Sequence, residues 1–300
     1  MRVLFVFLDG VGIGPPDADA NPFVRVDPPP LAHTFGGAVP TLDAPRVERD
    51  GRAATFPLDA TLGMPGLPQS GTGQAALLTG LDAPALFGRH FGPWVPVGLR
   101  RLVEERSFLR QAVEAGRTVI FANAYPRGWP GSRRGRWIAG MPLAARGAGL
   151  LVRHDDALER GEAVASEIVN DGWRSRLGLT HLPSPTPEEA GRTLARLAGE
   201  HELTVFAHYS TDYAGHRGDM EVALKAVGRV DRFLAGVLEA LPDDTLLLVA
   251  SDHGNLEDVR VGHTRNPSLG MLVGPGATGR SHALRSIADV ATSVGDWLAE

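Results

Sequence analysis

Three hundred residues exceed one typical domain, and with 43% of them apolar the chain can bury a sizeable core. A formal net charge of −5 gives no general attraction to nucleic acid or to an anionic membrane surface. The lack of cysteine removes disulfides, thiolate nucleophiles and thiolate metal ligands together. Arginine supplies nearly all the positive charge, Lys225 being the only lysine, so a phosphate clamp here must be arginine or backbone.

Val3 to Leu8 is a short, wholly apolar run with the pattern of a central parallel strand, too brief for the core of a signal peptide. No stretch reaches the roughly 20 apolar residues of a spanning helix. A soluble cytoplasmic protein, with no nucleic-acid or membrane partner, is expected. Asp9-Gly10-Val11-Gly12 follows the first strand and puts a carboxylate where strand-end ligands collect. A turn aspartate is the commoner fate of Asp-Gly, and the glycine spacing is not that of a dinucleotide site. Residues 15–68 are rich in proline and glycine and read as irregular cover, with a short helix starting at Thr41 to Ala44.

From Leu67 to Gly80 a glycine-rich turn carrying Ser70 and Thr72 opens an apolar helix, whose N-terminus suits a phosphate. Ser70 is there either a helix cap or a nucleophile. Gly98 to Ala115 reads as one helix, Thr118 to Ala122 as a strand, and residues 123–137 as a loop carrying Arg127, Arg133, Arg134 and Arg136. Arg133 and Arg134 are candidates to clamp an anionic substrate, although such clusters are more often solvated turns. Leu158 to Val169 has a helical pattern, and Thr186-Pro-Glu-Glu189 carries the capping hydroxyl, proline and acids of a helix start. Residues 86–199 are expected to form an inserted second unit, with 1–85 and 200–300 as the core.

Leu203 to Ala207 returns to strand pattern and ends near Asp212 and His216, which share a face if the turn is helical. Met220 to Leu241 is a long amphipathic helix with only core positions to explain. Thr245 to Ala250 is a continuous apolar strand, delivering Asp252 and His253, with His263 in the loop beyond. Gly270 to Gly274 and Ile287 to Leu298 complete the chain as a strand and a helix. The alternation implies an α/β fold around an open, mostly parallel sheet. Asp9, Asp212, His216, Asp252, His253 and His263 then gather at one sheet edge, and six such groups suffice for two divalent ions, Zn or Mn by ligand type. Ser70 would be the attacking oxygen beside them.

Five segments carry a resemblance: Phe7 to Gly12, Gly66 to Gly73, Thr211 to His216, Ser251 to Glu257 and Gly262 to Pro267. The chain resembles the alkaline phosphatase superfamily, in the metalloenzyme branch of cofactor-independent phosphoglycerate mutase and phosphopentomutase. The resemblance implies a three-layer sandwich with an inserted α/β cap that chooses the substrate. It also implies that Asp9, Ser70, Asp252 and His253 surround one metal and Asp212, His216 and His263 the other. Counting from Gly73 makes Ser70 the nucleophile, with Thr72 as the second candidate, while Gln74 stands where the mutases continue to a Gly-His pair. The implied activity is phosphoryl transfer from a small phosphorylated metabolite through a phosphoserine, as mutase or phosphatase. A phosphodiesterase or nucleotide hydrolase needs the same core with another cap. An inactive binding module predicts a broken ligand set, and all seven positions are filled.

Overall fold

The computed structural model describes residues 1–131 and 137–300. Seven strands form one sheet in the order β2-β3-β9-β8-β1-β7-β4. The strands are β1 (Arg2–Leu8), β2 (Val47–Arg49), β3 (Ala53–Leu58) and β4 (Val119–Phe121), then β7 (Leu203–His208), β8 (Thr245–Ala250) and β9 (Ser268–Val273). The short β5 (Asn123–Ala124) and β6 (Val164–Ala165) pair separately. Strands β8, β1, β7 and β4 are parallel, and β9, β3 and β2 extend the sheet antiparallel.

Both faces of the sheet are covered, which is why β1 and β8 read as unbroken apolar runs. Val3, Phe5 and Phe7 pack into one core with the helices Ser70–Thr79, Val97–Arg106 and Asp289–Ala299. Leu4, Val6 and Leu8 pack into the other with Pro187–Glu200 and Met220–Ala240. The result is the three-layer α/β sandwich expected from the sequence. Among the described residues, no helix is long and apolar enough to cross a membrane.

Within residues 86–199, β4 joins the main sheet beside β7, and the Pro187–Glu200 helix lies on the main core. A smaller cluster around Ala157, Leu158, Ala165, Trp173 and Leu182 remains as the core of a lobe over the sheet edge. Several local expectations are corrected. Gly98 to Ala115 is two helices, because extended Ser107 (ψ 148°) ends Val97–Arg106 and caps Phe108–Glu114 through Arg110 N. That break turns Phe108 edge-on to Phe5, ring centres 5.3 Å apart. Leu158 to Val169 is not helical beyond Glu159; Gly161 takes a positive φ of 68°, and Val164–Ala165 becomes β6. Thr41 and Ala44 close a turn on each other instead of opening a helix. β2 and β3 were not expected within the irregular stretch, since the pairing of β3 with β9 and of β2 with β3 supplies an order that local composition does not signal.

The lobe is tied to β7 by side chains that stand in for strand pairing. The Asn123 amide donates to the Ala207 carbonyl and accepts from the Ala207 N–H, both at 2.8 Å. His208 Nδ1 donates to the Ser166 carbonyl at 2.7 Å, while Nε2 is buried without a partner. Burial pushes the His208 imidazole down to about 4, against the pull of that carbonyl. An unfolded histidine titrates near pH 6.5, so the unfolded chain binds the extra proton first. This contribution to stability is whole above about pH 6.5 and falls by about 3 kcal/mol as pH drops toward 4. Urea unfolding at pH 7 and pH 4.5 should show a shallower pH dependence in His208→Asn than in the native chain. Equal slopes in the two proteins would contradict the buried neutral imidazole.

Candidate metal centre

The strand order places the carboxyl ends of β8, β1 and β7 side by side, with Leu8 beside His208 and Phe7 beside Ala250. Asp9 follows β1, Asp252 and His253 follow β8, and the Ser210–Arg217 helix after β7 carries Asp212 and His216 on one face. His253 Nε2 lies 3.4 Å from Asp9 Oδ1, 3.8 Å from Asp252 Oδ1 and 4.0 Å from Asp212 Oδ1. Ser70 Oγ is 2.9 Å from the same nitrogen. His263 Nε2 lies 3.1 Å from His216 Nε2 and 3.6 Å from Asp212 Oδ1, and Asp212 Oδ2 is 3.3 Å from His216. The seven residues singled out in the sequence therefore meet in one place.

Two donor groups emerge, each with ligand atoms within 4.8 Å of one another: Asp212 with His216 and His263, and Asp9 with Asp212 and His253. Asp212 faces both. The donors fit divalent cations on three observations. His253 Nδ1 lies 3.2 Å from the Gly254 carbonyl and His263 Nδ1 2.9 Å from that of Pro68. Such bonds fix the tautomer that leaves Nε2 free for a metal. The paired Nε2 atoms of His216 and His263 have no reason to face each other unless a proton or a cation lies between them. Asp9 Oδ1 is buried without a hydrogen-bond partner.

Electrostatics points the same way. Burial, with the Asp252 charge added, pushes the Asp9 carboxyl well above the usual range, and burial also raises Asp252. Burial would raise Asp212 as well, but its hydrogen bond to His263 and the nearby His253 charge pull it down to about 2. Burial disfavours a charged His253, yet Asp252 and Asp9 push it up to about 10. The cluster draws positive charge to its centre, and a divalent cation meets that demand while displacing the proton.

Supporting residues were not assigned roles from the sequence. Buried Glu257 accepts from Gly12 N (3.0 Å), Asn255 N (2.7 Å), Thr264 Oγ1 (2.5 Å) and Asn266 Nδ2 (3.2 Å). It fastens the loop after β1 to the loop after β8. A side chain at Gly12 would put its Cβ 2.5 Å from that carboxylate, which explains the glycine. Gly10 has a positive φ of 66° and presses on Asp212, so it too admits no side chain. Asn255 Nδ2 donates to Asp212 Oδ1 at 2.6 Å, and Thr211 Oγ1 to the Asp9 carbonyl at 2.6 Å. Gln74 donates to Asp252 Oδ2 (3.1 Å) and Asp9 Oδ2 (3.4 Å) and accepts from Gly140 N (2.7 Å), linking the cluster to the lobe. Only their closeness to the ligand segments signals these residues; burial of Glu257 has no signature in composition.

Ser70 is the first residue of its helix, with Gln69 at the cap, so the capping alternative does not hold. Thr72 points elsewhere: its Oγ1 accepts from Phe91 N at 3.1 Å and lies 3.4 Å from the Gln69 and Phe91 carbonyls. Arg133 and Arg134 lie outside the described residues.

Residues 184–298 match the model of the metalloenzyme superfamily. The Pyrococcus horikoshii protein PH0037 has a similar structure, at a TM-score of 0.59 and 11% identity over 99% of this chain and 96% of that one. Alkaline phosphatase from the Antarctic bacterium TAB5 superposes at a TM-score of 0.55 and 12% identity, over 99% and 98% of the two chains. The chain has the alkaline phosphatase fold, and its C-terminal third is similar to the metalloenzyme superfamily. In sequence it is 35% identical over 136 residues to a 2,3-bisphosphoglycerate-independent phosphoglycerate mutase of Desulforudis audaxviator, covering 39% of this chain and 27% of that enzyme. A mutase of the same name from Cereibacter sphaeroides is 32% identical over 117 residues, covering 36% and 23%. The matched stretch spans about a quarter of each relative's length.

Glu257→Ala leaves four donors of the two ligand loops without an acceptor. Denaturant unfolding of the metal-free protein should show a loss of about 3–5 kcal/mol. A loss under about 1 kcal/mol, the net worth of one ordinary hydrogen bond, would show that the carboxylate does not hold the loops together.

Proposed function

We propose that this protein is a metalloenzyme that transfers the phosphoryl group of a small phosphorylated metabolite through Ser70, acting as phosphomutase or phosphomonoesterase. The observation that carries the proposal is the placement of Ser70 Oγ, 2.9 Å from His253 and at the start of a ten-residue helix. The first amides of that helix suit the oxygens of a phosphate. Asp9, Asp252, His253 and Ser70 would hold one divalent ion, and Asp212, His216 and His263 the other, with Asp212 between them. Carboxylate oxygens and imidazole nitrogens without thiolate suit Mn or Zn. When bound, two such ions supply Lewis acidity to phosphoryl transfer and stabilise the charge on the attacking and leaving oxygens.

The chain's own residues do the rest. The helix and His253 fix Ser70 Oγ against the cluster, so attack needs no reorganisation of the nucleophile. Attack forms the bond from Ser70 Oγ to phosphorus and breaks the bond to the leaving oxygen. Gln74 and Asn255 hold the Asp9, Asp252 and Asp212 carboxylates in register throughout. The lobe over the edge limits water, and its tightness decides whether water or the bound product takes the phosphoryl group from Ser70.

Ser70→Ala should lower turnover of any phosphoester substrate by at least about 1000-fold, the scale expected for a lost nucleophile. Metal content and unfolding midpoint should stay at native values, and covalent labelling by radioactive phosphate should vanish. Thr72→Ala should keep the label. Undiminished turnover in Ser70→Ala, or loss of the label only in Thr72→Ala, would overturn the assignment.

A further inference from the structure

Above Ser70 lies a cavity of about 340 Å³, bounded on its floor by Asp9 and Asp212 and on its walls by Trp94, Tyr125, Trp129 and Tyr209. That volume is in the range of sites for small ligands. Tyr125 stacks on Trp129 with ring centres 4.2 Å apart and planes at 28°, and Phe121 backs Tyr125 at 6.2 Å. Phe7 packs beside Tyr209 at 5.9 Å. The walls are thus broad ring faces held by the core behind them. Among the described residues lining this cavity there is no arginine or lysine.

Two buried phenols stand among the polar groups of the walls. The hydroxyls of Tyr125 and Tyr209 interact with each other and have no other partner. A phenol holds its proton at neutral pH, so when one hydroxyl donates to the other the second donor still lacks an acceptor. Leaving such a group buried and unpaired costs about 1–3 kcal/mol, and one beside a cavity calls for an acceptor from outside the chain. A flat ring would cover the aromatic faces and bring ether, hydroxyl or ring acceptors to the phenols.

We propose that the cavity selects phosphate monoesters whose leaving group carries an aromatic or heteroaromatic ring, held by the walls at Trp94, Tyr125 and Trp129 and by the hydroxyls of Tyr125 and Tyr209. This rests on the reading of Ser70 as the phosphoryl acceptor, and it sets the substrate class of that same site. Tyr125 and Tyr209 are specificity-determining residues in it.

The test uses the full metal-supplemented chain with 1-naphthyl phosphate, a nucleoside 5′-monophosphate, ribose 5-phosphate, 3-phosphoglycerate and ethyl phosphate. Either or both ring-bearing esters should exceed the other three in kcat/KM by at least about 100-fold, and which one leads separates an aryl group from a base-bearing sugar. Trp129→Ala should raise KM for the preferred ester at least tenfold more than for ethyl phosphate. Tyr125→Phe and Tyr209→Phe should each weaken its binding by about tenfold, the fold-change of one hydrogen bond. Binding is followed in parallel by tryptophan fluorescence of Ser70→Ala, where no turnover intervenes. Preferential binding of a ring-bearing ester there, without turnover of any ester by the native enzyme, would sustain the cavity's selectivity and sink the phosphoryl-transfer reading. A preference for 3-phosphoglycerate or ribose 5-phosphate, or equal binding of all five esters, would overturn the inference.

Discussion

Three carboxylates crowd one fully buried histidine, and this concentration of like charge constrains everything around it. Asp9, Asp252 and Asp212 approach His253 Nε2 to 3.4, 3.8 and 4.0 Å. Such an arrangement is stable only if positive charge enters it. It is also costly to hold in place, which accounts for the density of bonds behind it. Glu257 locks the two loops, Asn255 and Gln74 orient the carboxylates, and Gly10 and Gly12 let the backbones approach. Charge repulsion at the centre and hydrogen bonding at the periphery are two sides of one construction.

The sheet makes this possible through its order. With β1 between β8 and β7, three strands that are far apart in sequence deliver their ends to one edge. The antiparallel extension through β9 returns the chain after His263 to the same sheet. His263 is thereby held opposite His216, although 47 residues separate them. The lobe sits over the edge as a roof stitched to β7 by Asn123 and His208.

Much of this was legible in the sequence, for a physical reason. A strand buried on both faces must be apolar throughout, so Val3 to Leu8 and Thr245 to Ala250 announced themselves, and polar residues just beyond them stood out. Asp212 and His216 were readable because four residues is one helical turn. What was not legible depends on distant partners. β3 forms against β9 and β2 against β3, and the break at Ser107 lets Phe108 reach Phe5. Within the expected inserted unit, the packing of β4 and the Pro187–Glu200 helix on surfaces built by other parts of the chain was equally hidden. Glu257 and Gln74 matter through what they touch, and contact is invisible in one sequence.

The reading of the site reduces to a statement about where cations bind, and anomalous diffraction from crystals grown with Mn tests it most directly. The account predicts two peaks, one among Asp212, His216 and His263 and one among Asp9, Asp252 and His253, with Ser70 beside the second. A single peak, or strong peaks away from these residues, would contradict it.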